Sequence, residues 1–145
     1  MTQFTPDRAA PITRANRINV EKVDHVTYVW PAAESLPDSI DNTVRLLTPF
    51  DPVVWDRLRF EHLWGWRYRF EAYTPPAKRK LGYYALPLLW RDRVIGWGNV
   101  SASSRGKLIV QIGYASGKPA RAEAAHFKTE LDAEIERLRA FMSPR

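Results

Sequence analysis

The chain of 145 residues contains no cysteine and no run of about 18 apolar residues. The missing cysteines exclude disulfide bonds, thiol catalysis and zinc or iron–sulfur sites with cysteine ligands. Without a long apolar run, the sequence predicts no transmembrane helix. The first 17 residues, MTQFTPDRAAPITRANR, are polar and lack the apolar core of a secretory signal. Together these absences lead us to expect a cytoplasmic protein.

Common catalytic patterns are also missing from the sequence. No serine lies in a GxSxG elbow, and neither GxGxxG nor a phosphate-binding loop is present. We therefore expect no catalytic residue, no metal site and no cofactor. The three histidines lie far apart and match no metal-binding spacing: His25, His62 and His126.

Positive charge is concentrated in the middle of the chain. The net charge is +6, from 22 basic and 16 acidic residues, and residues 45–107 contain 12 of the basic residues but only 5 of the acidic ones. Such a segment favours a polyanionic partner, with nucleic acid first and an acidic membrane surface second. A merely basic soluble protein is the alternative.

Residues 46–84 combine this charge with aromatic side chains. Lys78, Arg79 and Lys80 are followed closely by Tyr83 and Tyr84. The cations are suited to phosphate, and the tyrosines to stacking on exposed bases or to supporting the loop from behind. The alternative is a solvated basic loop whose tyrosines are buried in a sheet. Core packing is the favoured role of the six tryptophans: Trp30, Trp55, Trp64, Trp66, Trp90 and Trp97.

Alternating apolar residues and turn signals predict a mainly antiparallel sheet. Pro87 indicates that its strand is an edge strand or is bulged. Residues 1–19 lack periodicity and are predicted to be a flexible tail, which leaves 20–145 as a single domain. The predicted strands are residues 23–30, 44–47, 67–73, 83–90, 94–102 and 108–114.

Two helices complete the prediction. Asp51 and Pro52 are typical of a helix start and Gly65 of a helix end, with the buried stripe Val54, Trp55, Leu58, Leu63 and Trp64 between them. A helical period over 119–142 gives the stripe Phe127, Leu131, Ile135, Leu138 and Met142. The predicted class is α+β: a sheet or partial β-barrel of about five to six strands with a central helix and a long C-terminal helix.

Two aspartates of the first predicted helix admit a chemical interpretation. Asp51 and Asp56 would be a carboxylate pair suited to acid–base catalysis. The simpler interpretation is structural, because Asp51 would cap the helix and Asp56 would pair with Arg59 or Arg67. We assign both aspartates to structure, together with Phe50 and Arg57.

The same region resembles a known family. LLTPFDPVVWDR, followed by YRFEAYTPPAKRKLGYYALPLLWRDRVIGW, is similar to the C-terminal domain of the winged-helix crosslink-repair DNA glycosylases, the YcaQ/AlkZ-like family. The family pattern is roughly LLSPFDxxxWDR, then YxPxxKRxxGYYxLPxL and a glycine in the next strand. The resemblance covers about residues 20–142 and implies a β-rich domain that serves DNA repair.

The resemblance also shows two departures. The family's proposed catalytic triplet, Gln-apolar-Gln or Gln-apolar-Asp, lies in a winged-helix part that is missing here, and neither Gln3 nor Gln111 makes the triplet. We therefore expect that this chain alone is not an enzyme. After Gly96 the family continues Gly-Arg-x-Asp-x-Lys-x-Asp-Arg, whereas Trp97, Asn99 and serines stand here.

These observations lead us to expect a stand-alone DNA-binding accessory domain that contacts duplex DNA non-specifically through phosphates. A protein-interaction module that docks on winged-helix subunits, or a folded remnant without enzymatic activity, is the alternative. No membrane partner is expected. The residues expected to contact DNA are Lys78, Arg79, Lys80 and Arg69, with Tyr83 or Tyr84 as supports.

Overall fold

The computed structural model describes residues 18–31, 39–103 and 107–142. The predicted α+β class is confirmed: two antiparallel sheets of two and four strands are accompanied by three α-helices. Contacts divide the chain into two compact units, residues 1–39 and 40–145, and each is described by itself. The predicted single domain over 20–145 stays a prediction.

The first unit contains a two-stranded hairpin. Strand β1, Ile18–Val23, pairs with β2, Val26–Pro31. The strand predicted over 23–30 is confirmed for residues 26–30 and wrong at its start, because Asp24 and His25 form a tight turn with φ of 45° and 70°. Asp and His adopt positive φ more readily than most side chains, so this turn needs no glycine. Residues 1–17 of the predicted tail lie outside the described residues, and its last two residues belong to β1.

The second unit is built on a four-stranded sheet. Strands β3 (Val44–Leu46), β4 (Ala85–Trp90), β5 (Arg93–Ala102) and β6 (Leu108–Tyr114) follow one another in the order β3-β4-β5-β6, and every neighbouring pair is antiparallel. The four corresponding predictions are confirmed to within two residues. Residues 32–38 and 104–106, which stand between predicted strands, lie outside the described residues.

Pro87 lies on β4, which is an inner strand. The edge-strand alternative is therefore wrong, whereas the bulge alternative is confirmed by a register shift between Leu88 and Leu89. The Pro87 carbonyl accepts a hydrogen bond of 2.9 Å from the N–H of Leu47. The missing proline N–H consequently faces β3, which is only three residues long.

The predicted central helix is two short helices. Helix α1, Pro52–Trp55, and helix α2, Arg57–Trp64, are separated by Asp56 in an extended conformation. Asp51 caps α1 by accepting from the N–H of Val53 at 2.8 Å, and Asp56 caps α2 by accepting from two backbone N–H groups. A side chain that caps a new helix competes with continuation of the old one, so the single-helix prediction is wrong at Asp56.

The break changes which side chains are buried. Val54 and Phe60 are buried, whereas Trp55 is 75% exposed and Leu58 and Leu63 are also exposed. The predicted stripe assumed one continuous helical period, and the second cap resets that period. Through Val54 and Phe60, the two helices and the chain that follows them pack against one face of the sheet. This core contains Leu47, Val54, Phe60, Tyr68 and Val94.

Helix α3, Ala124–Met142, covers the other face of the sheet. Phe127 is buried against Trp90, with ring centroids 5.3 Å apart, and three further predicted stripe residues are half-buried. Met142 is exposed, and the helix begins five residues later than predicted. Among the described residues, no helix is both long and apolar enough to cross a membrane.

Glu134 of α3 fixes the helix to the free edge of β3. Its Oε1 accepts from the N–H of Leu46 at 2.8 Å, and its Oε2 accepts from Arg137 at 2.9 Å. The guanidinium of Arg137 also donates to the carbonyl of Val44 at 3.1 Å. Two backbone groups on the free edge of β3 are thereby paired by side chains rather than by another strand.

The tryptophans mostly pack inside the molecule, as predicted. Trp90 is buried and four others are half-buried, but Trp55 is exposed and the prediction is wrong for it. Trp97 lies against Gly113 on the neighbouring strand. A Cβ atom on Gly113 would lie 2.1 Å from Cζ2 of the indole, so the ring occupies the space that a side chain would need.

Candidate nucleic-acid interface

The chain between α2 and β4 contains no regular strand. A strand predicted over 67–73 is wrong, because Thr74 turns the backbone by donating to the carbonyl of Glu71 at 3.0 Å. Tyr68 is nevertheless buried, and its hydroxyl donates to the carbonyl of Ala85 at 2.7 Å. Burial, and then the negative charge of Glu71, raise the pKa of the Tyr68 hydroxyl well above its usual range.

Glu71 is the residue that sequence reasoning placed incorrectly. In the strand predicted over 67–73, side chains alternate between two faces, so Glu71 would face solvent together with Arg67 and Arg69, but it is only 7% exposed. Its carboxylate accepts from three consecutive backbone N–H groups, at 2.8 Å for Lys80, 2.7 Å for Leu81 and 3.2 Å for Gly82. One buried anion thus orders the segment that carries the basic cluster.

The ionisation of Glu71 reflects two opposing effects. Burial alone would raise the pKa of its carboxyl, but the N–H groups of Leu81, Lys80 and Gly82 stabilise the charged form, and the pKa lies below its usual value. The carboxylate is therefore ionised at neutral pH and accepts charge-assisted hydrogen bonds.

Gly82 and Asn99 position the end of the same segment. Gly82 has a φ of 122°, and a Cβ atom there would lie 2.5 Å from Nδ2 of Asn99. The side chain of Asn99 can approach because position 82 has none, and its Oδ1 accepts from the N–H of Tyr84 at 3.1 Å. Asn99 stands where the family pattern has an aspartate, so the amide here has a structural contact.

We call residues 76–84 the basic loop. It begins with a 3₁₀ turn, Pro76–Lys78, and the backbone N–H of Lys78 donates to the carbonyl of Pro75 at 2.9 Å. Arg79 Nε donates to the carbonyl of Thr74 at 2.8 Å, and its guanidinium lies over the ring of Tyr83, 4.9 Å from the centroid. Arg79 is therefore oriented by two contacts of its own side chain.

The two lysines of the basic loop differ from Arg79. Both are exposed, and within the described parts of the chain neither forms an ion pair. Their ammonium groups are thus available to an external anion. Arg69 is exposed as well, but its guanidinium donates at 2.9 Å to the carbonyl of Tyr68 rather than to the basic loop. Five of the six predicted contact residues therefore belong to the basic loop, and Arg69 lies outside it.

Three exposed tyrosines lie in the basic loop or shortly before it. Tyr73 is 93% exposed, Tyr83 is 58% exposed and Tyr84 is exposed to a smaller extent. Phe70 links two of them, because its ring centroid lies 5.3 Å from Tyr84 and 6.5 Å from Tyr73 in edge-on arrangements. The alternative that buries Tyr83 and Tyr84 in the sheet is therefore wrong. Tyr73 matches the first position of the family pattern YxPxxKRxxGYYxLPxL, but it was not among the residues expected to contact DNA.

The four residues that were assigned a structural role differ in their contacts and in their exposure. Asp51 and Asp56 are helix caps, as described, whereas Phe50 is 82% exposed and Arg57 is exposed too. The proposed ion pairs of Asp56 are wrong, since Arg67 pairs with Glu61 at 3.2 Å and Arg59 donates to the carbonyl of Pro52. In the residues that the structure describes, no group of three His, Asp or Glu side chains is arranged to bind a metal ion.

A family model described as DNA glycosylase AlkZ-like matches residues 2–141. The chain belongs to the AlkZ-like DNA glycosylase family, which confirms the resemblance seen in the sequence. This membership suggests a DNA-related function. No solved structure gives a significant match to the chain.

Proposed function

We propose that this protein binds duplex DNA without sequence preference, through phosphate contacts from the basic loop. The observation that carries the proposal is the order of that loop: Glu71 fixes its backbone while Lys78 and Lys80 extend into solvent. A loop that is ordered before binding loses less conformational entropy when it meets the phosphates. Membership in a DNA glycosylase family supports DNA as the polyanion.

Each predicted contact residue has a distinct part in the proposal. Lys78 and Lys80 supply mobile point charges, and Arg79 supplies a fixed planar cation beside Tyr83. Arg69 adds a further exposed charge outside the loop. Tyr83 and Tyr84 support the loop through contacts with Arg79 and Phe70.

The test is binding to a labelled duplex over a range of salt concentrations. Each phosphate contact lowers the logarithm of the affinity by about 0.9 per unit of log salt. We expect Lys78→Ala with Lys80→Ala to weaken duplex binding and to reduce the slope by about 2. Arg79 is left in place because its contacts with Thr74 and Tyr83 order the loop.

A matched control removes the same charge elsewhere. Lys118 and Lys128 lie beside and on α3, the helix on the opposite face of the sheet, so their replacement by alanine also lowers the net charge by 2. We expect this variant to retain the wild-type slope. Equal loss of slope in both variants would show that overall charge, not the basic loop, determines binding, and would contradict the proposal.

We further propose that the chain alone does not excise bases. In the family that the sequence resembles, base excision is attributed to a glutamine triplet, and neither Gln3 nor Gln111 supplies this triplet. Gln111 is an exposed residue of β6, and Gln3 lies outside the described residues. Incubation with alkylated or crosslinked duplexes should yield no released base. Release that persists in a preparation free of other proteins would overturn this part of the proposal.

A second candidate function rests on a different observation. Phe50, Trp55 and Leu58 are exposed apolar side chains at the two short helices, where a docking surface for a winged-helix subunit would need such groups. Co-elution of the two proteins, lost in Trp55→Ser but retained after the lysine substitutions, is the expected result for this candidate. Duplex binding by the chain alone favours the first function instead.

A further inference from the structure

A series of contacts links the exposed rings of Tyr73, Tyr83 and Tyr84 with the side chain of Arg79. Phe70 contacts both Tyr73 and Tyr84, and the carbonyl of Thr74, next to Tyr73, accepts from Arg79. Arg79 in turn lies over Tyr83. Contacts of the chain itself therefore connect Tyr73, Tyr83 and Tyr84.

The exposure of these rings is not explained by the packing of the domain. Tyr73 at 93% exposure has almost its whole ring in water, at a point where the backbone is ordered by the turn from Glu71 to Thr74. Tyr83 has Arg79 over its ring and is still 58% exposed. An aromatic ring that is oriented by its neighbours and left open loses little freedom when a flat partner stacks on it.

A B-form duplex does not supply that flat partner. Its bases are stacked on one another, so a tyrosine on the surface reaches phosphates and sugars but no base face. Unpaired nucleotides expose both a base face and a phosphate, and proteins bind them by combining basic side chains along the backbone with aromatic rings on which the bases stack. The basic loop offers both kinds of group, because Lys78, Arg79 and Lys80 stand between Tyr73 and Tyr83 in the sequence and Arg79 lies over the ring of Tyr83.

We infer that the basic loop and its tyrosines bind unpaired nucleotides of single-stranded DNA, with bases stacked on Tyr73 and Tyr83 and phosphates paired with the lysines. This inference rests on the proposed DNA-binding function and specifies its substrate. Phosphate contacts remain common to both forms of DNA. The stacking contacts belong to the single strand alone, so the protein binds single-stranded DNA more tightly than a duplex of the same sequence.

The experiment compares three labelled DNAs of one sequence: a single strand of about 12 nucleotides, the matching duplex, and the duplex with unpaired nucleotides at its centre. We expect the single strand and the interrupted duplex to bind more tightly than the perfect duplex. The variants Tyr73→Leu and Tyr83→Leu retain apolar bulk but lose the ring. Each should weaken binding to the two DNAs with unpaired bases by at least about fivefold.

The same measurements distinguish the contribution of charge to DNA binding from the contribution of stacking. Tyr73→Leu removes no cation and no contact of Arg79, so its salt slope and its affinity for the perfect duplex should stay at the wild-type values. Tyr83→Leu also removes the ring under Arg79, so it serves only to measure the loss on the DNAs with unpaired bases. Phe141→Leu is the matched control, because Phe141 is an exposed aromatic residue of α3, on the other face of the sheet. Its replacement should leave all three affinities unchanged.

Either of two outcomes overturns the inference. If the perfect duplex binds as tightly as the single strand and the tyrosine variants bind like wild type, the stacking role is wrong while the proposed function stands. If no DNA binds even at low salt, the proposed function fails as well. A thermal unfolding curve for each variant verifies that weaker binding does not come from an unfolded protein.

Discussion

Two buried glutamates lie on opposite sides of the sheet and contact the backbone in different ways. Glu71 is followed by irregular chain, and its carboxylate accepts from three consecutive N–H groups. Glu134 lies on a regular helix, and its carboxylate accepts from one N–H at a strand edge and from Arg137. Both side chains are more than nine-tenths buried, at 7% and 6% exposure.

The comparison shows two uses of a buried anion. At β3 the strand already pairs with β4, and Glu134 only completes the hydrogen bonds of its outer edge. In the basic loop no strand or helix supplies the pairing, so Glu71 substitutes for secondary structure. The conformation of the loop consequently depends on one side chain, whereas the edge of the sheet has several independent contacts.

The largest expected effect comes from removing the acceptor in the loop. Glu71→Ala leaves three N–H groups without their charged acceptor, and we expect the free energy of unfolding to fall by about 2–4 kcal/mol. Solvent reaches the loosened loop, which limits the loss. Amide hydrogen exchange should accelerate at Lys80, Leu81 and Gly82 while β4 and β5 keep their protection. Retained protection at those three amides would contradict the central role of Glu71.

The corresponding change at the sheet edge should be smaller. Glu134→Ala removes one N–H acceptor and the partner of Arg137, and we expect a loss of about 1–3 kcal/mol. Chemical denaturation measures the loss, and faster exchange should be confined to the amide of Leu46 and its neighbours. DNA affinity should not change, because Glu134 does not contact the basic loop. Glu71→Ala, by contrast, should lower DNA affinity because it removes the acceptor that orders that loop. Reduced DNA affinity in this variant would remove the distinction between the two glutamates.

A substitution at Gly82 tests the loop without altering its charge. Gly82→Ala forces a side chain into a conformation with φ of 122° and toward Asn99, so we expect a loss of about 1–2 kcal/mol. Gly117→Ala is the matched control: φ is 95° there, but nothing lies within 4 Å of the new Cβ. Equal thermal destabilisation of the two variants would show that backbone strain alone, and not the contact with Asn99, is responsible.

The smallest expected effect is a dependence on pH. The pKa of the Glu71 carboxyl is lower in the folded chain than in the unfolded one, so its contribution to stability is present above about pH 4.3 and is lost as the pH falls through the lowered folded value. Glu71→Gln should flatten this acid limb in unfolding curves collected at several pH values. Asp41, whose pKa Thr43 lowers by hydrogen bonding, contributes equally in both proteins.

Sequence patterns predicted the regular part of the second unit well. Alternation located β3 to β6 and the helical period located α3, because in these elements burial follows a fixed repeat. The hairpin turn at Asp24 and His25 was missed, since neither residue is a glycine or proline. The second cap at Asp56 was missed because an aspartate inside an apolar stripe is equally compatible with one helix or two.

The candidate site was predicted only in part. The basic cluster and Tyr83 and Tyr84 are visible as a local run of residues. The acceptor that orders them lies nine positions before Lys80, and an acidic side chain in an alternating stretch is indistinguishable from a solvated one. Burial of Glu71 arises from backbone groups that converge only after the chain has turned, which no one-dimensional repeat records.

The contact between Trp97 and Gly113 constrains the order in which the two positions can change. An indole lies where a side chain at 113 would begin, so Gly113 cannot be replaced first without displacing a rigid ring. Trp97 stands where the family pattern has arginine, and a flexible side chain there would vacate that space. Replacement of Gly113 should therefore be tolerated better in a chain whose Trp97 has already been exchanged than in one that keeps the indole.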